Sequence, residues 1–242
     1  MAFDFKKECK DFYLPKTNPV FIDVPEMSYI AIAGQGDPNK EDGVYKQALS
    51  ALYALSFTIK MSKMGDWQPD GYFDYVVPPL EGLWWINKGF FDGLNSEDKS
   101  ALHWISMIRQ PDFVTDEVFA WSKDQAMAKK PEIRDTLEKA RLIRFHEGPC
   151  VQIMHLGTYD DEASSIAKLN DYILDNGYAS DLSNTEDLDD EEVLEAFIPN
   201  SEMNPFRLHH EIYLSDPRRC KPENLKTVIR QPVTSNQSVT DC

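Results

Sequence analysis

The segment His209-His210-Glu211-Ile212-Tyr213-Leu214-Ser215-Asp216-Pro217 sets a carboxylate between an imidazole and a phenol at alternate positions. In an extended strand alternate side chains share a face. His209, Glu211 and Tyr213 then point one way, and Ile212 and Leu214 the other. The apolar set belongs to the core, which leaves the polar set facing either solvent or a cavity. Inside a cavity, a carboxylate near a phenol can hold a cation, orient a water or act as a general base. Glu211 and Tyr213 are therefore the candidate catalytic pair, with His209 beside them.

Further candidates for a ligand wall are aromatic. Tyr72–Val77 reads as a strand that presents Tyr75, Pro78-Pro79 interrupts it, and Leu80–Ile86 resumes it. On the resumed strand Glu81, Leu83 and Trp85 share one face, and Gly82 and Trp84 the other. Val118-Phe119-Ala120-Trp121 reads as another strand, with Phe119 and Trp121 on one side. Tyr75, Glu81, Trp85, Phe119 and Trp121 are the expected contacts for a planar or cationic ligand; the competing reading for each ring is plain core packing. His155 lies within Val151–Gly157 on the face of Val151 and Ile153, either as a core histidine or as a ligand contact. Tyr159 follows Gly157 at the strand exit, the position of a pocket lip.

These residues need elements to position them. Val20–Pro25 and Tyr29–Gly34 are strand candidates, closed by the turn Gly34-Gln35-Gly36-Asp37-Pro38. Tyr45, Ala48, Leu52, Leu55 and Ile59 recur at helical spacing. A helix capped by Ser96 is expected to carry Leu102, Ile105 and Ile108. Another follows Pro131, with Ile133, Leu137 and Ala140. In the second half Val151–Gly157 is a strand, and Asp160 or Asp161 caps a helix with Ile166, Leu169, Ile173 and Leu174. Gly177 ends that helix, and His209–Leu214 is a strand. Strand, glycine, helix and strand thus occur twice, near Tyr29–Ile86 and Val151–Leu214, which predicts a pseudo-two-fold arrangement with a cleft between the halves.

Residues 1–19 read as an N-terminal arm, 20–233 as the main domain, and 234–242 as a flexible tail. The halves cover about 20–125 and 140–233. Residues 181–204 include Glu186–Glu192 and form an acidic insertion, with Val193, Leu194 and Phe197 predicted to dock a short helix.

Composition narrows the function. The chain has 242 residues, 41 acidic against 25 basic, giving a formal net charge of −16. Phosphate backbones are held by clustered Lys and Arg, so direct nucleic-acid binding is not expected. The four cysteines, Cys9, Cys150, Cys220 and Cys242, form no CxxC pair. No metal site and no cofactor are expected. The opening residues lack the apolar stretch of a signal peptide, and no apolar run reaches membrane-spanning length, so a cytoplasmic location without membrane contact is the expectation. The GxSxG, HExxH, Walker and GxGxxG patterns are missing.

Gly148–Glu162, His209–Arg218, Tyr75–Trp85 and the closing Leu225–Val233 together resemble the GyrI-like family of small-molecule-binding proteins. The resemblance implies an α+β fold: two pseudo-symmetric β-α-β-β units forming antiparallel sheets around a central ligand cleft. In the drug-sensing relatives, the glutamate matching Glu211 faces a pocket of aromatics and meets cationic drugs. Stand-alone relatives include hydrolases that open the cyclopropane of DNA-alkylating natural products by adding water, with support from a pocket glutamate and aromatic residues. On that expectation Glu211 activates a water, Tyr213 or Tyr75 supports the oxygen that gains charge, and Trp85 and Trp121 flank the ligand. A toxin-sequestering protein and a topoisomerase modulator are the other readings.

Overall fold

The computed structural model describes residues 2–87, 89–93, 98–186, 190–196 and 206–235. The chain opens with a short strand, β1 (Phe3–Asp4), and two single-turn helices, α1 (Phe5–Glu8) and α2 (Lys10–Tyr13). The first unit comprises β2 (Val20–Gln35), α3 (Val44–Lys60), β3 (Tyr75–Val76), β4 (Leu80–Ile86) and β5 (Leu102–Arg109). Helices α4 (Asp116–Lys129) and α5 (Arg134–Lys139) lead to the second unit. That unit comprises β6 (Arg141–Leu156), α6 (Ala163–Asp175), β7 (Tyr178–Ser180), α7 (Asp190–Glu195), β8 (His209–Tyr213) and β9 (Lys226–Ser235).

The main sheet runs β6-β2-β5-β4-β8-β9 with antiparallel neighbours, and β9 pairs back onto β6, so six strands close into a ring. Closure removes the unpaired edges that an open sheet of this kind would expose. β7 extends it on the outer side of β9. Setting aside the short β3, β7 and α7, each half follows the order strand, helix, strand, strand: β2-α3-β4-β5 and β6-α6-β8-β9. The fold is the expected α+β architecture.

Alternation along the strands makes two different faces. One packs under α3, whose Tyr45, Ala48, Leu52, Leu55 and Ile59 are all buried against Ile30, Ile32, Trp84, Trp104 and Ile108. Full burial of a Leu or Ile side chain is worth about 1.5–3 kcal/mol, so this stripe fixes α3 on the sheet. The opposite face packs Met27, Tyr29, Ala31, Leu83, Trp85, Ile105 and Met107 with Ile143 and Phe145, and α7 adds Val193 and Leu194. Phe197, expected to dock with them, lies outside the described residues, as does Ser96. The tail expected from residue 234 begins inside β9, and 236–242 lie outside the described residues.

Two elements differ from expectation. Residues 102–108 form strand β5, not a helix. Every residue from Leu102 to Ile108 is buried, because α3 covers one face of the strand and the second core the other. With both faces apolar, period two disappears, and Leu102, Ile105 and Ile108 happen to mimic helical spacing. Residues 118–121 lie within helix α4, not a strand. Thr115 caps it by accepting from the Val118 N–H, and Asp116 and Glu117 occupy its first turn. Val118, Ser122 and Ala126 are its buried stripe, so Phe119 and Trp121 no longer share a face.

The first residues are built into the fold. Phe5 and Tyr13 are buried, and Arg109 lies over the Phe5 ring at 4.8 Å. The Lys16 carbonyl accepts from the Met154 N–H at 2.9 Å.

Candidate functional site

Strand β8 carries the centre of the site. Tyr213 donates its hydroxyl proton to Glu211 Oε2 at 2.7 Å, and the Trp84 indole N–H donates to the Tyr213 oxygen at 2.8 Å. On the other side His209 Nε2 lies 3.0 Å from Glu211 Oε1. The direction of that bond follows from its neighbours. The Gln231 amide nitrogen donates to the Asp92 carbonyl at 2.8 Å and also meets His209 Nδ1 at 2.8 Å. Since that nitrogen only donates, Nδ1 accepts, and the His209 proton sits on Nε2 facing Glu211. Two donors therefore converge on the Glu211 carboxylate, in the short, charge-assisted pattern that anions accept.

Cross-strand register explains why these groups meet. Gly82 pairs with Glu211 and Trp84 with His209, so Trp84 and Tyr213 stand on one face. A Cβ on Gly82 would lie 2.7 Å from Trp84 Nε1 and 3.2 Å from the Tyr213 hydroxyl. Glycine is what lets the indole fold over it. Gly82→Ala is expected to push Trp84 away from Tyr213, to cost about 1–3 kcal/mol as an overpacked site, and to shift tryptophan emission. An unchanged spectrum and melting temperature would show that the indole is not held by that bond.

Helices α3 and α6 both begin at this spot. Tyr45, in the first turn of α3, lies 5.6 Å from the Trp84 ring and 5.0 Å from that of Trp104. Glu162, the residue preceding α6, is buried, and its carboxyl comes within 4.8 Å of Glu211. Burial first, and the Glu211 charge second, push its carboxyl up to about 10, so it is the protonated member of the pair at neutral pH. His155 does not reach Glu211. Its Nε2 lies 3.0 Å from the Thr158 carbonyl and its Nδ1 3.0 Å from the Ser165 hydroxyl, which pins the turn that carries Glu162. Tyr159 lies at the exposed rim, edge-on to Tyr213 at 5.6 Å. Glu162, His209 and Glu211 bring ligand-type atoms within 4.8 Å of one another. Both His209 ring nitrogens are already committed to hydrogen bonds, so the arrangement is that of a proton network.

The structure thus gathers Glu211, Tyr213, His209 and Tyr159, four of the residues singled out from sequence. It separates the others. Tyr75 is buried among Phe5, Tyr72, Phe73 and Phe113. Phe119 and Trp121 are on α4, where Trp121 packs on Trp67 at 4.5 Å. Glu81 and Trp85 occupy the opposite face of β4, with Trp85 stacked on His103. Sequence reasoning missed Glu162, Trp84, Tyr45 and Gln231. Trp84 was legible as sharing the Gly82 face, but only the register joins that face to Glu211.

Glu81 belongs to a second buried network on the other face. Tyr13 and Tyr29 donate to it at 3.2 and 3.4 Å, and His210 Nε2 lies 3.1 Å from its Oε2, close enough for an ion pair though not aligned as a hydrogen bond. His210 Nδ1 bonds Glu147 at 3.0 Å, and Arg230 donates to Glu147 at 2.7 Å. Arg230 also reaches Gln152 and the Phe12 carbonyl, tying the first helices to the sheet. Burial alone would raise Glu147, but the charges of His210 and Arg230 outweigh it and hold the carboxyl at about 2. Burial lowers His210, but the charge and hydrogen bond of Glu147, together with the neighbouring Glu81 carboxylate, outweigh it, so its pKa is raised.

The sign of each contribution follows. A depressed carboxyl stabilises the fold above its unfolded value, and that stability is lost as pH falls from about 4.5 toward the native value. A raised histidine stabilises below about 6.5, and the gain is lost as pH rises through its native value. Melting temperature measured across pH should therefore drop on acidification below about 4.5, and Glu147→Gln should flatten that limb. An acid limb of unchanged steepness in Glu147→Gln would remove Glu147 as its source.

A carboxylate held by hydroxyl and imidazole donors, with an indole bonded behind the hydroxyl, beneath the first turns of two helices on an α+β sheet, is the build of a domain that takes a small organic ligand. The chain belongs to the family of GyrI-like small molecule binding domains, which matches residues 17–196. No curated protein matches it. Three solved structures from Listeria innocua are similar along nearly the whole length. A protein described as an uncharacterized conserved protein shares 43% identity at a TM-score of 0.80, covering 96% of this chain and 100% of that one. One described as a hydrolase shares 42% identity at 0.77, with the same coverage. A hydrolase encoded by lin2189 shares 40% identity at 0.78, covering 97% of this chain and 100% of its own. Among the described residues, no helix is long and apolar enough to cross a membrane.

Proposed function

We propose that this protein is a hydrolase that adds water across the strained cyclopropane of a planar, carbonyl-conjugated electrophile, and so detoxifies DNA-alkylating compounds. The observation that carries the reading is the Glu211 carboxylate, its side chain only 14% exposed, held by Tyr213 and His209 beside the rings of Trp84 and Tyr159. A carboxylate set in that way can take a proton from a water placed on the ligand, while the aromatic rings give a planar ligand flat surfaces. The hydrolase descriptions of two Listeria innocua proteins at 42% and 40% identity support the same class of reaction. Strain in the ring supplies part of the driving force, and general-base help adds roughly two to four orders of magnitude in rate.

The second reading is capture without chemistry: a lipophilic cation paired with Glu211 and flanked by rings. Mass spectrometry of a cyclopropane-bearing electrophile, before and after incubation with the protein, separates the two. A gain of one water is the expected result. Unchanged mass with tight binding would replace the hydrolase by the sequestering protein.

A further inference from the structure

Resting on that hydrolase reading, we infer that Glu162 is a second catalytic residue, the acid that gives a proton to the ligand oxygen while Glu211 takes one from water.

The argument begins with a count of protons. Ring opening sends the electron pair of the broken carbon–carbon bond to the conjugated carbonyl oxygen, and something must neutralise that oxygen. Tyr213 is the obvious donor, but its proton already points to Glu211 Oε2, and its oxygen accepts from Trp84. His209 is committed in the same way: the Gln231 amide occupies Nδ1, and the Nε2 proton faces Glu211 Oε1. Neither has a proton to spare while the carboxylate stays in place.

Glu162 has one. It is 4% exposed, its carboxyl comes within 4.8 Å of the Glu211 carboxylate, and its Oε1 has no hydrogen-bond partner although it is buried. A buried oxygen with no partner is costly, and such atoms in native folds call for an explanation. A ligand or water seated between the two carboxyl groups would satisfy it. The residue also goes unused as a helix cap: its side chain makes no capping bond to α6. His155, Thr158 and Ser165 brace the turn that holds it.

The steps balance. A water O–H bond breaks with its proton going to Glu211, and the water oxygen bonds to the ring carbon. The strained carbon–carbon bond breaks, and the carbonyl oxygen takes the Glu162 proton. The proton on Glu211 then passes to the Glu162 carboxylate, which returns both groups to their starting forms. The net change is one water added, with nothing oxidised or reduced. Two carboxyl groups of opposite protonation are the usual division of labour for paired acid–base work.

The titratable groups around Glu162 are Glu211, His209 and Tyr213 on β8, Tyr159 and Asp160 in the turn before α6, and Tyr45 in α3. Glu162→Gln keeps size and hydrogen bonding but carries no transferable proton. Two readouts follow. With a cyclopropane-conjugated ketone, kcat should fall about 100- to 10,000-fold with KM little changed, and the alkaline limb of the kcat profile should disappear. Without any substrate, the melting temperature of the wild type should fall between pH 5 and 9, because the native state holds a proton that the unfolded chain has released. In Glu162→Gln that slope should shrink to the part that His210 contributes.

Wild-type turnover with an unaffected Glu162→Gln variant would overturn this inference and leave the hydrolase reading standing. Parallel melting curves for the two proteins would overturn it as well, since Glu162 would then not be protonated. A wild type inert toward the ketone would instead remove the hydrolase reading, and this role with it.

Discussion

Glu211→Gln should reduce turnover of a cyclopropane-conjugated electrophile by two to four orders of magnitude, roughly the range that general-base help supplies. The size of the effect follows from where the side chain sits. Tyr213 and His209 both direct hydrogen bonds at this one carboxylate, and the Glu162 carboxyl comes within 4.8 Å of it. A glutamine of the same shape keeps one acceptor oxygen but puts an NH2 where a second acceptor stood. At least one of these donors then faces another donor, and no base remains to take a proton from water. Binding of a neutral planar ligand should change little, because the ring surfaces are untouched. Binding of a lipophilic cation should weaken, since the counter-charge is gone. Steady-state rates and ligand titrations on the same preparation check both. Full activity in Glu211→Gln would mean that the water is activated elsewhere.

Arg230→Met should be the most damaging substitution for stability, costing about 3–5 kcal/mol, the range for removing one partner of a buried ion pair. At roughly 2–4 °C per kcal/mol for a chain of this size, the melting temperature should drop by about 6–20 °C. Arg230 is 1% exposed and serves Glu147, Gln152 and the Phe12 carbonyl at once. Its loss strands the Glu147 charge with His210 alone and removes one of the ties between the first helices and the sheet. The double variant Arg230→Met with Glu147→Met should lose less than the sum of the two single losses, because it leaves no unpaired charge. Thermal unfolding of the three variants tests this. Additive losses would show that the pair does not act as a unit.

The sequence made the two-unit plan legible where only one face of an element is buried. The α3 stripe from Tyr45 to Ile59, and the alternation of His209, Glu211 and Tyr213, are patterns of that kind. It hid β5, because a strand buried on both faces has no polar beat to betray it. It misplaced Trp121 because Val-Phe-Ala-Trp suits a strand by propensity, whereas the Thr115 cap and the two acids after it decide for a helix. The site was half legible. Its β8 members lie on one short segment and announce themselves. Glu162, Trp84, Tyr45 and Gln231 come from four other segments, and only register and helix placement unite them. Glu81 shows the limit of alternation, which sorts a strand into two faces without saying which one meets Glu211.

The adjacent pairs Glu81-Gly82, His209-His210 and Arg230-Gln231 sit on three strands, and each contributes one member to either side of the sheet. Strand length in this protein therefore has a parity. Adding or removing a single residue within β4, β8 or β9 would exchange the Glu211 cluster for the structural ion network along the rest of that strand, whereas a two-residue change would keep each in place. Natural or engineered length variation should be confined to the connections, such as the stretch between Ser215 and Leu225, and be met inside these strands only in even steps.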